Sequence, residues 1–292
     1  MSTIPLQNAA ARRQRRLFAL AACFALGGMV ALAPRSLTAP LPAEVEIAEL
    51  TWVEVRGFLE HGYTTVIVPS GGLEQNGPHL AIGKHDRIVA YTARRIATTL
   101  GRTLVTPVVS FVPEGGHDPA TGHMRFPGTI GVKPEVYAGT LEGIARSLKA
   151  AGFRTICFIA DHGDSLPVQN AVAERLSREW AGEGVKAISV RDYGADPAQL
   201  AWLRSQGETT GSIGRHGGIQ DTSELLAAHP AGVKLERWTD RPVWSEQTGS
   251  DGDPTRASAE RGAKLLEMKI AAAVDEIRAA RGELALRGST AD

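Results

Sequence analysis

Short runs of aliphatic and β-branched residues recur along the chain, separated by longer stretches with helical spacing. Thr64-Thr65-Val66-Ile67-Val68-Pro69 is one such run, and residues 104–109, 155–160 and 185–190 repeat the pattern. Runs without a polar face predict strands covered on both sides. Apolar positions at helical spacing predict helices over residues 47–60, 87–100, 134–150, 168–180, 198–205 and 221–229, and a last long one from 253 to about 281. Pro134 stands where a first helical turn tolerates it. Residues 71–86, 111–131 and 207–218 carry Gly, Pro and His and read as loops. Strands alternating with helices predict an α/β domain with a mainly parallel sheet and helices on both faces. Ligands bind such sheets beyond the carboxyl ends of the strands, so the segments after the first and third strands are where chemistry is expected.

The amino-terminal segment departs from this pattern. Arg12, Arg13, Arg15 and Arg16 precede an apolar run from Leu17 to Ala33. A charged stretch followed by an apolar one is the form of an export signal. Arg15-Arg16-Leu17-Phe18 resembles the twin-arginine motif; an ordinary Sec signal and an uncleaved anchor are the alternatives. The Pro-, Ala- and Leu-rich stretch 34–45 reads as a linker. The expected organisation is a signal and linker over 1–43, a catalytic domain over 44–285 and a frayed tail over 286–292. Export would place the protein in the periplasm. Only Cys23 and Cys157 are present, and Cys23 lies in the signal, which excludes an internal disulfide framework in a mature chain. Cys157, within an apolar run, is expected to be a small buried side chain. Lys plus Arg number 32 and Asp plus Glu 32. With that balance and no basic stripe beyond the first residues, nucleic acid is not an expected partner.

The chemistry concentrates in four places. The segment from Glu74 to Asp86 holds Glu74, Asn76, His79, His85 and Asp86, with glycines that let side chains converge. Carboxylate and imidazole together suit Zn²⁺, Mn²⁺ or Fe²⁺ better than Ca²⁺ or Mg²⁺. Asp86 is also a plain N-cap for the helix that follows. Asp161-His162-Gly163-Asp164 ends the third strand. In extended backbone His162 and Asp164 would point the same way, towards the first loop; otherwise the segment is a turn with a cap at Asp164 or Ser165. Arg215-His216-Gly217-Gly218 leads into a helix start with Asp221-Thr222-Ser223, and His216 suits a catalytic acid on a loop. Finally, His123 precedes the tight turn Phe126-Pro127-Gly128-Thr129 and reads as a pocket wall.

Taken in order, these motifs resemble the creatininase family of creatinine amidohydrolase-like proteins. The resemblance rests on Gly72-Leu73-Glu74-Gln75-Asn76-Gly77-Pro78-His79-Leu80, on His123 with Phe126-Pro127-Gly128-Thr129-Ile130, and on Asp161-His162-Gly163-Asp164. It continues with His216-Gly217-Gly218 plus Asp221-Thr222-Ser223, and with Gly252-Asp253-Pro254-Thr255. It implies a three-layer α/β/α fold, a zinc- or manganese-type centre, hydrolysis of a C–N bond in an amide or cyclic amide, and a homo-oligomer, often a hexamer. Glu74 and His162 match metal ligands. Asp164 matches a carboxylate of a second metal and of catalysis, and His216 a catalytic histidine. Three positions depart from the family, among them Asp221, which stands where a glutamate is usual. Asn76 stands where a metal-binding His is usual, and His85 stands at the place of a bridging Asp. Either Asp86 takes that role by a one-residue shift, or His85 does and the site holds one metal per subunit. The favoured set is Glu74, His85 and His162 with Asp164 as fourth ligand or base, and Asn76, His79, His123 and Asp221 are expected on the substrate. A non-catalytic periplasmic binding protein, or a deformylase- or lactonase-type hydrolase on this fold, is the alternative.

Overall fold

Four strands form one wholly parallel sheet in the computed structural model, which describes residues 43–238 and 248–283. They are β1 (Thr65–Ser70), β2 (Thr103–Val105), β3 (Thr155–Ala160) and β4 (Lys186–Ser189), in the order β2-β1-β3-β4. The described residues belong to one compact unit, Leu41–Asp292. The expected signal, nearly all of the linker and the expected frayed tail lie outside the described residues.

The period-two alternation of the strands separates the core into two layers. Val66, Val68, Ile156 and Phe158 face one way. There they pack with Phe58 of α1 (Trp52–Glu60), Tyr137 and Leu141 of α3 (Pro134–Ala151), and Leu176 of α4 (Leu166–Glu179). Ile67, Cys157 and Ile159 face the other way. They meet Val89, Ala93 and Ile96 of α2 (Lys84–Leu100), and Ile270, Ala273 and Ile277 of α8 (Ala259–Ala280). The result is the expected three-layer α/β/α arrangement, with Cys157 buried at its centre and burial pushing its thiol pKa up to about 12. Three shorter helices complete the described chain: α5 (Asp196–Ser205), α6 (Thr210–Ile213) and α7 (Ile219–Ala228).

Several boundaries differ from expectation, each for a local reason. The first helix begins at Trp52 because Thr51 forms a capping box with Glu54; Ile47–Glu49 is a separate 3-10 turn. Pro107, which has no N–H to donate, follows soon after β2, and β2 stops at Val105. The chain then returns to the sheet only at Val109, whose N–H donates to the Pro69 carbonyl at 2.8 Å. Most consequential for the site, α2 begins at Lys84 with Gly83 as its N-cap. Asp86 is therefore not the cap. It lies in the first turn, and its carboxylate accepts from the Gly72 N–H at 3.0 Å.

Glu208 ties the end of α5 to the start of α8. Its carboxylate, 1% exposed, accepts from Arg256 at 2.8 and 2.9 Å, from Arg261 at 2.7 Å and from Ser212 at 2.9 Å. The Arg256 hydrogen bonds first, with help from Arg261 and Ser212, outweigh desolvation and hold its pKa to about 2, against an ordinary 4.5. A carboxyl whose pKa is depressed by folding stabilises fully above its unfolded pKa and loses that contribution as pH falls through the folded value. Glu208→Gln is therefore expected to lower Tm at pH 7, and its gap from the natural protein should narrow as pH drops below 4.5 towards about 2. Thermal melts across that range check this; a gap of constant size would contradict it.

Candidate functional site

β1 and β3 lie side by side, but their outgoing connections run to opposite flanks of the sheet, to β2 and to β4. A crevice opens at such a switch point, outside the carboxyl ends of the two strands. Glu74 reaches it from the loop after β1, and Asp161 and His162 from the end of β3. The 111–131 segment is stitched to the first loop where the Ile130 N–H donates to the Leu73 carbonyl at 2.9 Å. That pairing brings His123 and Glu114 into the same crevice.

The centre is the Glu74 carboxylate, 1% exposed. His85 Nε2 lies 2.7 Å from its Oε1, while His123 Nε2 and His162 Nε2 lie 3.1 and 3.2 Å from Oε2. His216 Nδ1 faces Oε1 at 3.9 Å. Burial alone would raise the Glu74 pKa, but His85, His162 and Lys84 reverse it and hold the carboxyl well below its usual range.

Each imidazole is oriented by a group behind it. Both ring nitrogens of His85 face carboxylates, Glu74 on one side and Asp161 Oδ2 at 2.7 Å on the other, and carboxylates only accept, so His85 donates twice. Its pKa is raised: Glu74 and Asp161 outweigh burial and the Lys84 charge. Asp161 in turn accepts from Lys269 at 2.7 Å and from the Tyr193 hydroxyl at 3.1 Å. Lys269 also donates to Glu224 at 2.8 Å. Charges thus alternate from Glu74 through His85, Asp161 and Lys269 to Glu224. Gln75 sets two more rings. Its Oε1 accepts from the Gly77 N–H at 3.2 Å, which points its Nε2 at His123 Nδ1, 3.0 Å away. His123 therefore carries its proton on Nε2, which lies 3.1 Å from Glu74 Oε2. The Gln75 carbonyl accepts from His216 Nε2 at 2.6 Å, and the two rings stack at 4.7 Å.

Of the residues expected at the site, Glu74, His85, His123, His162 and His216 come together. Asp221 supports them from behind: it pairs with buried Lys84 at 2.9 Å and accepts from the Gly217 N–H at 2.7 Å, which fixes the loop that carries His216. Between His85 and Asp86 the helix decides. Consecutive helical residues project about 100° apart, so His85 faces Glu74 while Asp86 clasps Gly72. Asp164 does not follow His162. The backbone turns into a 3-10 helix at Gly163–Ser165, the alternation ends, and Asp164 is exposed at the cavity mouth. Asn76 and His79 are buried and do not line the cavity. Asn76 Nδ2 donates to the Glu74 carbonyl at 3.2 Å. His79 Nε2 donates to Thr222 Oγ1 at 3.0 Å, and burial lowers its pKa to about 4.

Three residues were missed. Asp161 stood in a quoted motif without a role. Lys269 left a readable signal, a lysine on the apolar stripe formed by Leu265, Leu266, Ile270 and Ala273. Glu114 left almost none, being a single acid in a long irregular segment. Its side chain is 1% exposed, with Oε2 3.1 Å from His162 Nε2 in an ion-pair contact but neither oxygen in a well-aligned hydrogen bond. It fits only because two neighbours are glycine: an added Cβ on Gly72 would lie 2.9 Å from Glu114 Oε1, and one on Gly131 2.8 Å from Glu114 Cβ.

Above this floor lies a polar cavity of about 320 Å³, lined by Glu74, His123, His162, Asp164, His216 and Asp221 among others. Carboxylates and imidazoles converging out of water form a donor set suited to a borderline divalent cation. The Glu114 carboxylate, which has an ion-pair contact with His162 but no well-aligned hydrogen bond, is a group such a cation would satisfy.

The family model described as creatinine amidohydrolase matches residues 48–277, and the chain belongs to the creatininase family. It is 27% identical over 253 residues to creatinine amidohydrolase of Pseudomonas putida, covering 80% of this chain and 96% of that protein. It is also 27% identical over 237 residues to the mycofactocin precursor peptide peptidase of Mycobacterium tuberculosis, covering 73% and 82%. A crystal structure of creatininase superposes with a TM-score of 0.67 at 27% identity, covering 81% of this chain and 98% of that one. Solved creatininase structures include manganese and zinc forms.

Lys269→Met leaves Asp161 and Glu224 buried without their shared counter-charge. Breaking such a network typically costs about 3–5 kcal/mol. Denaturant unfolding should show a loss of that order; a loss under about 1 kcal/mol would contradict the network.

Proposed function

We propose that the protein is a divalent-metal-dependent amidohydrolase acting on the C–N bond of a small amide or cyclic amide. The observation that carries this reading is Glu74, a buried carboxylate with three imidazole Nε2 atoms within 3.2 Å, at the floor of a polar cavity. Glu74 and His162 are the donors that would hold the ion. We take it as Zn²⁺, with Mn²⁺ or Fe²⁺ as alternatives and one ion per subunit; the zinc and manganese forms of the related structures support a divalent ion. Bound there, the ion would lower the pKa of a water and polarise the scissile carbonyl.

Hydrolysis forms a C–O bond, breaks the C–N bond and moves a proton from water to the departing nitrogen. In this reading His216 Nδ1 takes that proton and hands it on. Its Nε2 is committed to the Gln75 carbonyl, and burial keeps the ring's pKa below the ordinary imidazole value, so it is neutral and basic near pH 7. The His123 Nε2–H points at the same floor and suits a substrate or developing oxyanion. Asp164, at the mouth, is placed to guide a water or a substrate donor. Relatives named for creatinine, for a mycofactocin precursor peptide and for 3-dehydro-scyllo-inosose stand at 26–27% identity, so the likeness does not choose among such substrates. The polar lining favours a small polar amide. Asn76, at the position of a usual metal-binding His, favours one second reading, a non-catalytic periplasmic binding protein.

Two further expectations belong to this reading. The arginines and apolar run before residue 34 support export to the periplasm. A homo-oligomer, hexameric by family resemblance, is supported by an apolar groove that includes Val108, Phe111, Val132 and Val136, with Phe111 and Val136 each 52% exposed.

The test combines metal analysis of protein made with metal supplied and a panel of amides, lactams and short peptides. About one divalent ion per chain and chelator-sensitive hydrolysis are expected, with His162→Ala lowering kcat/KM at least roughly 100-fold. Metal-free protein, or hydrolysis indifferent to chelator and to His162→Ala, would overturn the reading. Stoichiometric metal without turnover of any panel member would favour the binding protein.

A further inference from the structure

We infer that Glu114 is a direct ligand of the divalent ion, closing a three-residue set with Glu74 and His162. The inference rests on the metal reading above and specifies its coordination. Glu74, Glu114 and His162 each offer one donor atom, these atoms lie within 4.8 Å of one another, and all three residues are buried. Glu114 is the decisive member. Two carboxylates share this volume, yet neither Glu114 oxygen makes a well-aligned hydrogen bond. His162 Nε2 lies 3.2 Å from Glu74 Oε2 and 3.1 Å from Glu114 Oε2. One nitrogen carries at most one proton and cannot satisfy both acids. A divalent cation among the three satisfies them all, with the imidazole lone pair as the neutral donor and two carboxylates balancing the charge.

The neighbours support the same assignment. His85 donates to the other oxygen of Glu74, at 2.7 Å, and so turns Oε2 towards Glu114 and His162. This spends the His85 nitrogen that the sequence reading had offered to the metal. A second convergent group, Glu74 with His123 and His216, has the same spacing. There His123 Nε2 already carries a proton, because Gln75 donates to its Nδ1. Gly72 and Gly131 open the slot in which Glu114 lies, and a methyl group at either would collide with it. A buried acid held without a well-aligned hydrogen bond by two close glycine approaches is a built feature of the crevice.

The experiment measures metal affinity directly. Full-length protein freed of metal is titrated with Zn²⁺ and with Mn²⁺, alongside Glu114→Gln and Glu114→Asp, and the visible spectrum of each Co²⁺ complex is recorded. Circular dichroism and metal-free melting temperatures report on folding. Glu114→Gln is expected to weaken binding by on the order of 100-fold or more and to change the Co²⁺ spectrum. Glu114→Asp keeps the charge but shortens the reach; it should also bind more weakly, and it serves if Glu114→Gln does not fold. Natural affinity and an unchanged Co²⁺ spectrum in either folded variant would overturn the role of Glu114 and leave the metal reading standing. Failure of the natural protein to take up Zn²⁺ or Mn²⁺ would overturn both.

Discussion

A single buried negative charge organises this molecule. The Glu74 carboxylate has lost its water, and an ion out of water is tolerable only where neighbours return the lost solvation as hydrogen bonds and opposite charge. His85 supplies both, but it then needs a counter-charge of its own. Asp161 provides that, Lys269 answers Asp161, and Glu224 takes the other side of Lys269. The alternation runs from the crevice to the contact between α7 and α8, so the positions of two helices are coupled to one carboxylate at the site. Such a network is not an efficient source of stability, since an apolar core of similar volume would hold the helices as well. Its value lies in placing Glu74 with one oxygen engaged and the other turned into the cavity.

Topology determines where this happens. In the order β2-β1-β3-β4 the carboxyl ends of β1 and β3 are adjacent, while their following segments diverge. The loop carrying Glu74 and the turn carrying Asp161 and His162 therefore meet although they are far apart in sequence. The 111–131 segment joins them through one backbone pairing at Leu73 and contributes His123 and Glu114. The polar floor is built by loops, while the strands beneath are apolar on both faces and keep the two ends in register.

The fold was legible in the sequence because burial on both faces of a parallel sheet leaves continuous apolar runs, and Val66–Val68 and Ile156–Ile159 are such runs. The five residues that converge on the crevice, Glu74, His85, His123, His162 and His216, were singled out too, through motifs in family order. The failures were errors of direction. Asp164 was paired with His162 by extended alternation, but a 3-10 turn ends that alternation one residue earlier. His85 and Asp86 stayed interchangeable until the helix start fell at Lys84, which points only one of them inwards. His79 and Asn76 sit in the richest motif yet turn away from the cavity, Asn76 to the Glu74 carbonyl and His79 to Thr222 of α7. Glu114 lies among glycines and prolines with no periodicity to mark it, and only its packing shows that its carboxylate is buried without a well-aligned hydrogen bond.

The imidazole protonation pattern tests the central claim most directly, because each ring's role follows from the nitrogen that holds its proton. It can be read from long-range ¹⁵N–¹H correlation spectra of the histidine rings, recorded before and after Zn²⁺ is added. The expected result has His123 and His216 protonated on Nε2, His85 protonated on both Nδ1 and Nε2 with a carboxylate partner at each, and His162 Nε2 alone taking the shift of a metal-bound nitrogen. A spectrum in which His123 gives up its Nε2 proton to the metal, while His162 stays unchanged, would contradict the arrangement around Glu74.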